Sequence, residues 1–146
     1  MPFNRLLDNV IRVKSELNDI IVGAMIENKA EIIDLNTSQL EEGKLSTGSN
    51  ITPEYQSDDY KKFKKSIGSK SPFGVPDLKL EGDFYSGFDI IKGSGGAFIH
   101  SDDTKAGDLE EKYSSNIYGI TDKNKPEVVE RILPQIQNEV KNELTR

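Results

Sequence analysis

His100 is the single histidine of the chain, and Asp102 and Asp103 follow it closely. An imidazole beside two carboxylates could hold a metal ion weakly. One histidine, however, supports neither a two-histidine metal site nor a histidine relay. Its place at the end of an apolar run, before a polar turn, fits a strand-end residue. The acidic turn "DDTKAGDLEE" has part of the spacing of a calcium loop, with Gly107 in the sixth position from Asp102. Ala106 stands where an oxygen ligand is needed, and Tyr113 replaces the closing glutamate, so the loop chemistry is incomplete.

Other arrangements fail in similar ways. "GSGGAF" has the look of a phosphate-binding turn, but a dinucleotide fingerprint would need glycine where Phe98 stands. No lysine of the Walker type follows a glycine-rich turn. There is no Gly-x-Ser-x-Gly elbow, and with no cysteine there is no thiol nucleophile. Carboxylates are plentiful, yet no spacing singles out a pair for glycoside hydrolysis. The expectation is a chain with no catalytic, cofactor-binding or metal-binding residues.

The densest charge feature is "YKKFKKSIGSK", where Lys61, Lys62, Lys64, Lys65 and Lys70 interleave with Tyr60 and Phe63. It reads as a basic patch toward DNA or an acidic partner. The competing reading is a solvated helix face around two aromatic anchors. The net charge of −6 opposes a general nucleic-acid binder, and sequence-specific recognition of nucleic acid is not expected. Absence of cysteine excludes disulfides and thiolate metal sites and agrees with a reducing compartment. No apolar run approaches the roughly 18 residues of a membrane span. Arg5, Asp8, Arg12, Lys14 and Glu16 interrupt any signal-peptide core, so the expected location is the cytoplasm or something assembled there.

These residues need elements to hold them. The 146 residues suit a single domain, 1–146, with a real core. A long helix is expected over 3–27. Phe3, Leu6, Val10, Val13, Leu17, Ile20 and Ala24 recur at 3-4-3-4 spacing, and Leu7, Ile11, Ile21 and Met25 widen the face. At about 1.5 Å per residue it spans roughly 38 Å, so it either covers a sheet or projects at one end. Residues 30–77 read as loop-rich, with a short strand at Glu31 to Leu35, a turn and a helical turn begun by Asn36 or Thr37, and then a helix capped by Ser57 whose apolar stripe is Tyr60, Phe63 and Ile67. Residues 78–121 read as the sheet region. Phe88 to Lys92 and Ala97 to Ser101 flank "GSGG" as a hairpin with a slightly lengthened turn, "SDDTKAGD" is a polar turn or mobile loop, and "SSNIYGIT" is a last short strand or an edge segment. A C-terminal helix is expected over 124–145, with Val128, Ile132, Ile136, Val140 and Leu144 on one face and a kink at Pro134. The fold class is α+β: long N- and C-terminal helices packed on a small antiparallel sheet, with long loops.

Within this frame "LKLEGDFYSGF" reads as a packing corner formed by Leu78, Leu80, Gly82, Asp83, Phe84, Tyr85 and Phe88. A strand ends at Leu80, Gly82 turns the chain, Asp83 caps the turn or the short helix after it, and the aromatics wedge into the hairpin. The order of features (long helix, "LNTSQLEEG", a P-x-Y loop, this corner, a hairpin, "NIYGIT" and a closing helix) resembles small virion proteins of tailed bacteriophages. It is similar to phage proteins with an L-x-x-T-G-D-F-Y-x-S-F stretch and, more distantly, to the tail-completion or head–tail connector (neck) group. Glu81 departs from the usual threonine and Gly87 from the usual serine. The resemblance implies a structural protein in the virion, passing through the host cytoplasm during assembly. It would form a homo-oligomeric ring at the head–tail junction or tail end, against portal, adaptor or tail-tube proteins, with no membrane and no cofactor. The alternatives are an adaptor or regulatory protein outside the virion and, more remotely, a small carboxylate hydrolase.

Overall fold

The computed structural model describes residues 2–79 and 82–146. It has an α+β fold in which long N- and C-terminal helices pack with a two-stranded antiparallel sheet. The elements run α1 (Phe3–Glu27), α2 (Lys29–Glu41), α3 (Asp58–Ser66), α4 (Asp83–Ser86), β1 (Phe88–Gly93), β2 (Gly96–Ser101), α5 (Ala106–Tyr113), a 3₁₀ turn (Ser115–Ile117) and α6 (Lys125–Leu144). The strand expected to end at Leu80 does not form at its described residues, because Leu78 takes a left-handed conformation at φ +57° and Lys79 pairs in no strand, and Leu80 itself lies outside the described residues.

α1 matches its expected span, and α2 follows after the single non-helical residue Asn28. The strand expected at Glu31 to Leu35 is therefore helix. Its buried positions are Ile32, Asn36, Gln39 and Leu40, a spacing of four, three and one that puts them on one helical face. Two of the four are amides, so the face carries little hydrophobic signal. Those amides do the work of a missing strand. Asn36 Nδ2 donates to the Ile117 carbonyl at 3.0 Å, and Asn36 Oδ1 accepts from Gly119 N–H at 2.9 Å. Gln39 donates to the Gly119 carbonyl and accepts from Thr121 N–H, each at 2.9 Å. The "NIYGIT" segment is thus a 3₁₀ turn and an extended stretch held by side chains, and not a strand.

The hairpin forms in the register Phe88 to Ser101, Ile90 to Ile99 and Gly93 to Gly96. Its turn is Ser94 and Gly95 alone, tighter than expected, with Gly95 at φ +81°. β1 alternates so that Phe88 and Ile90 face inward. Each feeds a different half of the core. Phe88 joins Leu40, Ile51, Val75, Leu78, Phe84 and Ile117, whereas Ile90 joins Ala24, Ile32, Val128 and Ile132. The polar stretch after the hairpin holds a helix, α5, because Ala106, Leu109 and Tyr113 share one face and turn it into the first half.

α6 starts at Lys125 with Pro126 in its first turn, as its missing N–H allows. Asn124 sits at the cap position but spends its side chain on Gln39 at 3.0 Å. The helix continues through Pro134 as one element and does not split in two. Pro134 is exposed, so water can meet the Glu130 carbonyl that loses its partner. α6 runs back along α1: Asn9 Nδ2 donates to the Leu144 carbonyl at 3.1 Å, and Arg12 reaches the Glu143 carbonyl at 2.8 Å.

Candidate functional site

The corner is organised by a residue one position before the stretch that signals it. Asp77 is buried, and its Oδ1 accepts from Lys64 Nζ at 2.8 Å and from Lys79 N–H at 3.0 Å. Its Oδ2 accepts from Ser69 Oγ at 2.9 Å, and its carbonyl accepts from the Tyr85 hydroxyl. The bond to Lys79 N–H, two residues on, is the side-chain turn typical of aspartate. It bends the chain over Leu78, which is buried with φ +57°. A left-handed leucine costs about 1–2 kcal/mol, and the Asp77 contacts are what hold it there.

From that turn the chain enters the aromatic cluster. Gly82, at φ +87°, stands at the N-terminus of α4 with no side-chain cap. Asp83 is the first helical residue and is exposed, so it does not cap the helix as expected. Phe84 and Phe88 are buried and meet edge-to-face at 5.0 Å between ring centres. Tyr118 packs on Phe88 at 5.5 Å and on Phe84 at 6.2 Å, and His100 lies 6.1 Å from Tyr118. The backbone is pinned too, because Ser101 Oγ donates to the Phe84 carbonyl at 2.8 Å. Gly87 is needed for this approach: a Cβ there would lie 2.6 Å from Asp102 Oδ1 and 2.7 Å from Ser101 Oγ. A serine at this position would therefore collide with them.

Burial pushes the Tyr85 hydroxyl well above its ordinary range, with the Asp77 charge adding to the shift. Tyr55 is raised in the same order of causes. Tyr118 is raised chiefly by burial, with the Glu110 charge adding to it. All three therefore act as neutral hydrogen-bonding or packing groups. Asp77, Ser101 and Tyr118 were not singled out from sequence. The available signal was Asp77 two residues before Lys79, and it is weak.

Of the lysines of the sequence patch, Lys64 does not reach the surface. Lys64 is 5% exposed and neutralised by Asp77. Lys61 faces Asp58 at 3.9 Å, and Lys70 faces Glu41 at 3.6 Å. Lys65 sits 5.9 Å above the Phe73 ring, and Lys62 is exposed. Burying Lys64 turns α3 over from the expected arrangement, leaving Phe63 and Ile67 in water. His100 lies on β2 near its end, as read from sequence. Among the described residues, no three His, Asp or Glu side chains gather in a way that could hold a metal ion. No helix there is long and apolar enough to cross a membrane.

The largest unsatisfied feature is on α1. Of the expected seam, Val13, Ile20 and Ala24 are buried, but Phe3, Leu6, Val10 and Leu17 are exposed. Leu7 and Ile11 extend that exposed face, with Phe3 at 75% and Ile11 at 61% accessibility. Since Asn9 is level with Leu144, the first turns of α1 run past the end of α6. Comparisons with protein families, with curated proteins and with solved structures find no match for this chain.

Proposed function

We propose that this protein is a non-enzymatic assembly subunit that associates with copies of itself. Its setting is the virion of a tailed bacteriophage, as a ring at the head–tail junction or tail end. The observation that carries the assembly reading is the exposed apolar face of α1 from Phe3 to Leu17. Monomeric proteins rarely leave such a contiguous apolar surface in water, and a closed ring covers one on every subunit. The setting rests on the resemblance of Leu78 to Phe88 to phage virion proteins, in which Gly82, Asp83, Phe84, Tyr85 and Phe88 match. Neighbours in that setting are portal, adaptor or tail-tube proteins.

Sedimentation of the purified chain over a rising concentration series tests the assembly reading. Discrete oligomers are expected, and a monomer throughout overturns it. Mass spectrometry of purified virions tests the setting. The chain should be found in stoichiometric amounts in particles, and its absence from them would move the protein to adaptor work outside the virion.

A further inference from the structure

The two edges of the hairpin are finished differently. Its register and tight turn make Gly93–Gly96, Ile91–Phe98 and Asp89–His100 the hydrogen-bonded pairs. The bond from Asp102 N–H to the Gly87 carbonyl at 3.0 Å continues that alternation. Ile90 on β1, and Ala97 and Ile99 on β2, therefore turn their backbone groups outward. On β1 the outward Ile90 N–H is capped by the Asp89 carboxylate at 2.8 Å, which Lys29 holds at 3.1 Å. On β2 the N–H and C=O groups of Ala97 and Ile99 find no hydrogen-bond partner among the described residues.

That open edge borders a cavity of about 450 Å³, open on one side and with overwhelmingly apolar walls. Ala97, Phe98 and Ile99 all line it. Consecutive strand residues point to opposite faces, so a cavity touching all three runs along the edge of β2. Tyr118, Gly119 and Ile120 line it as well, which makes the edge one side of a slot. We infer that this slot takes an extended segment of another protein, added to β2 as a third strand. A strand supplies donors and acceptors in register with Ala97 and Ile99 and sends every second side chain into the apolar cavity. A helix satisfies its own backbone and would leave that edge unpaired. No charged residue lines the cavity, so the inward positions of the segment are apolar and uncharged. A second copy does not supply it. Among the described residues the only strands are β1 and β2, and the edge of β2 cannot meet its like because 118–120 flank it in each copy. The slot is separate from the exposed Phe3 to Leu17 face of α1, so self-association does not depend on it.

A displayed library of random peptides, panned on the purified chain, tests the slot. Enriched peptides should carry apolar residues at alternate positions. A synthetic copy of the leading peptide should protect the Ala97 and Ile99 amides from hydrogen exchange, read by NMR. Ala97→Pro deletes one outward donor and no ladder bond, and should weaken that peptide about tenfold. With the unaltered chain, N-methylation of the peptide amides that face β2 should give a similar loss. No enrichment, apolar residues at helical spacing, or binding that leaves both amides exchanging as before would each overturn the inference. Protection of these amides in the chain alone, growing with its concentration, would put a second copy in the slot. That result overturns the inference and leaves the self-assembly reading standing.

Discussion

The corner around Asp77 and the free end of α1 treat their side chains in opposite ways. At the corner a carboxylate is surrounded by donors from Lys64, Ser69 and Lys79, and two buried phenylalanines meet Tyr118. The charged groups there find their partners within the chain, and among the described residues the buried Tyr118 hydroxyl alone is left without one. At the end of α1, six apolar side chains from Phe3 to Leu17 stand in water, while Asn9 and Arg12 clasp the last turn of α6. A region that satisfies itself holds a fold together. A region that leaves apolar surface uncovered contributes little to that hold, and such surfaces mark sites of interaction in many proteins.

The sharpest break in that contrast is Lys64→Ala. It leaves the Asp77 carboxylate buried without its counter-charge, and the loss expected in urea unfolding is about 3–5 kcal/mol. The paired replacement Lys64→Met with Asp77→Leu should recover only part of that loss, since it removes the stranded charge but also the Asp77 bonds to Ser69 and to the Lys79 N–H that hold the turn. A single variant losing under about 1 kcal/mol would mean the corner does not anchor the fold. Next is Gly87→Ser, which forces a Cβ against Ser101 and Asp102 and should cost about 1–3 kcal/mol in the same assay.

Alkaline pH probes the corner without mutation. Tyr55, Tyr85 and Tyr118 all have hydroxyls raised above the ordinary value of 10.0 by burial. Above that pH the unfolded chain loses these protons and the folded chain keeps them, so the slope of stability with pH is negative. Stability should be flat in this respect below about pH 10 and fall above it. Thermal melts should track that fall, with tyrosinate absorbance rising together with unfolding. Tyrosinate assigned to Tyr85, by difference from a Tyr85→Phe variant, appearing near pH 10 in a still-folded protein would refute the burial argument. The smallest effect on folding belongs to the other region. Ile11→Glu, on an exposed position, should change unfolding stability by no more than about 0.5 kcal/mol. If it unfolds the protein instead, the end of α1 belongs to the fold and the contrast collapses.

Legibility from sequence divides along similar lines. α1, α6 and the hairpin were readable because apolar residues repeat there at the period of the element. α2 was not, because Asn36 and Gln39 occupy half of its buried face. The 117–121 stretch looked like a strand for the complementary reason, since its backbone partners are those two amides and not another strand. α3 was read in place but facing the wrong way, because hydropathy puts Phe63 inside and Lys64 outside, and an ion pair reverses both. The aromatic corner was located correctly from Phe84, Tyr85 and Phe88, but its hub was missed because a single aspartate before a lysine is common. Period is local and survives in a sequence, whereas a pairing between positions 64 and 77 exists only after folding.

Asn28 has a mechanical consequence. This one residue separates α1 from α2, and its side chain donates both to the Ala24 carbonyl at 2.8 Å and to Gln135 Oε1 at 3.2 Å. α1, roughly 38 Å long, is thus fastened to α6 at two places, by Asn28 at its C-terminal end and by Asn9 and Arg12 toward its tip. The direction in which Phe3 points is set by that pair of fastenings and not by the first turns of α1 themselves. Loosening Asn28 alone would leave the tip still held at Asn9 and Arg12.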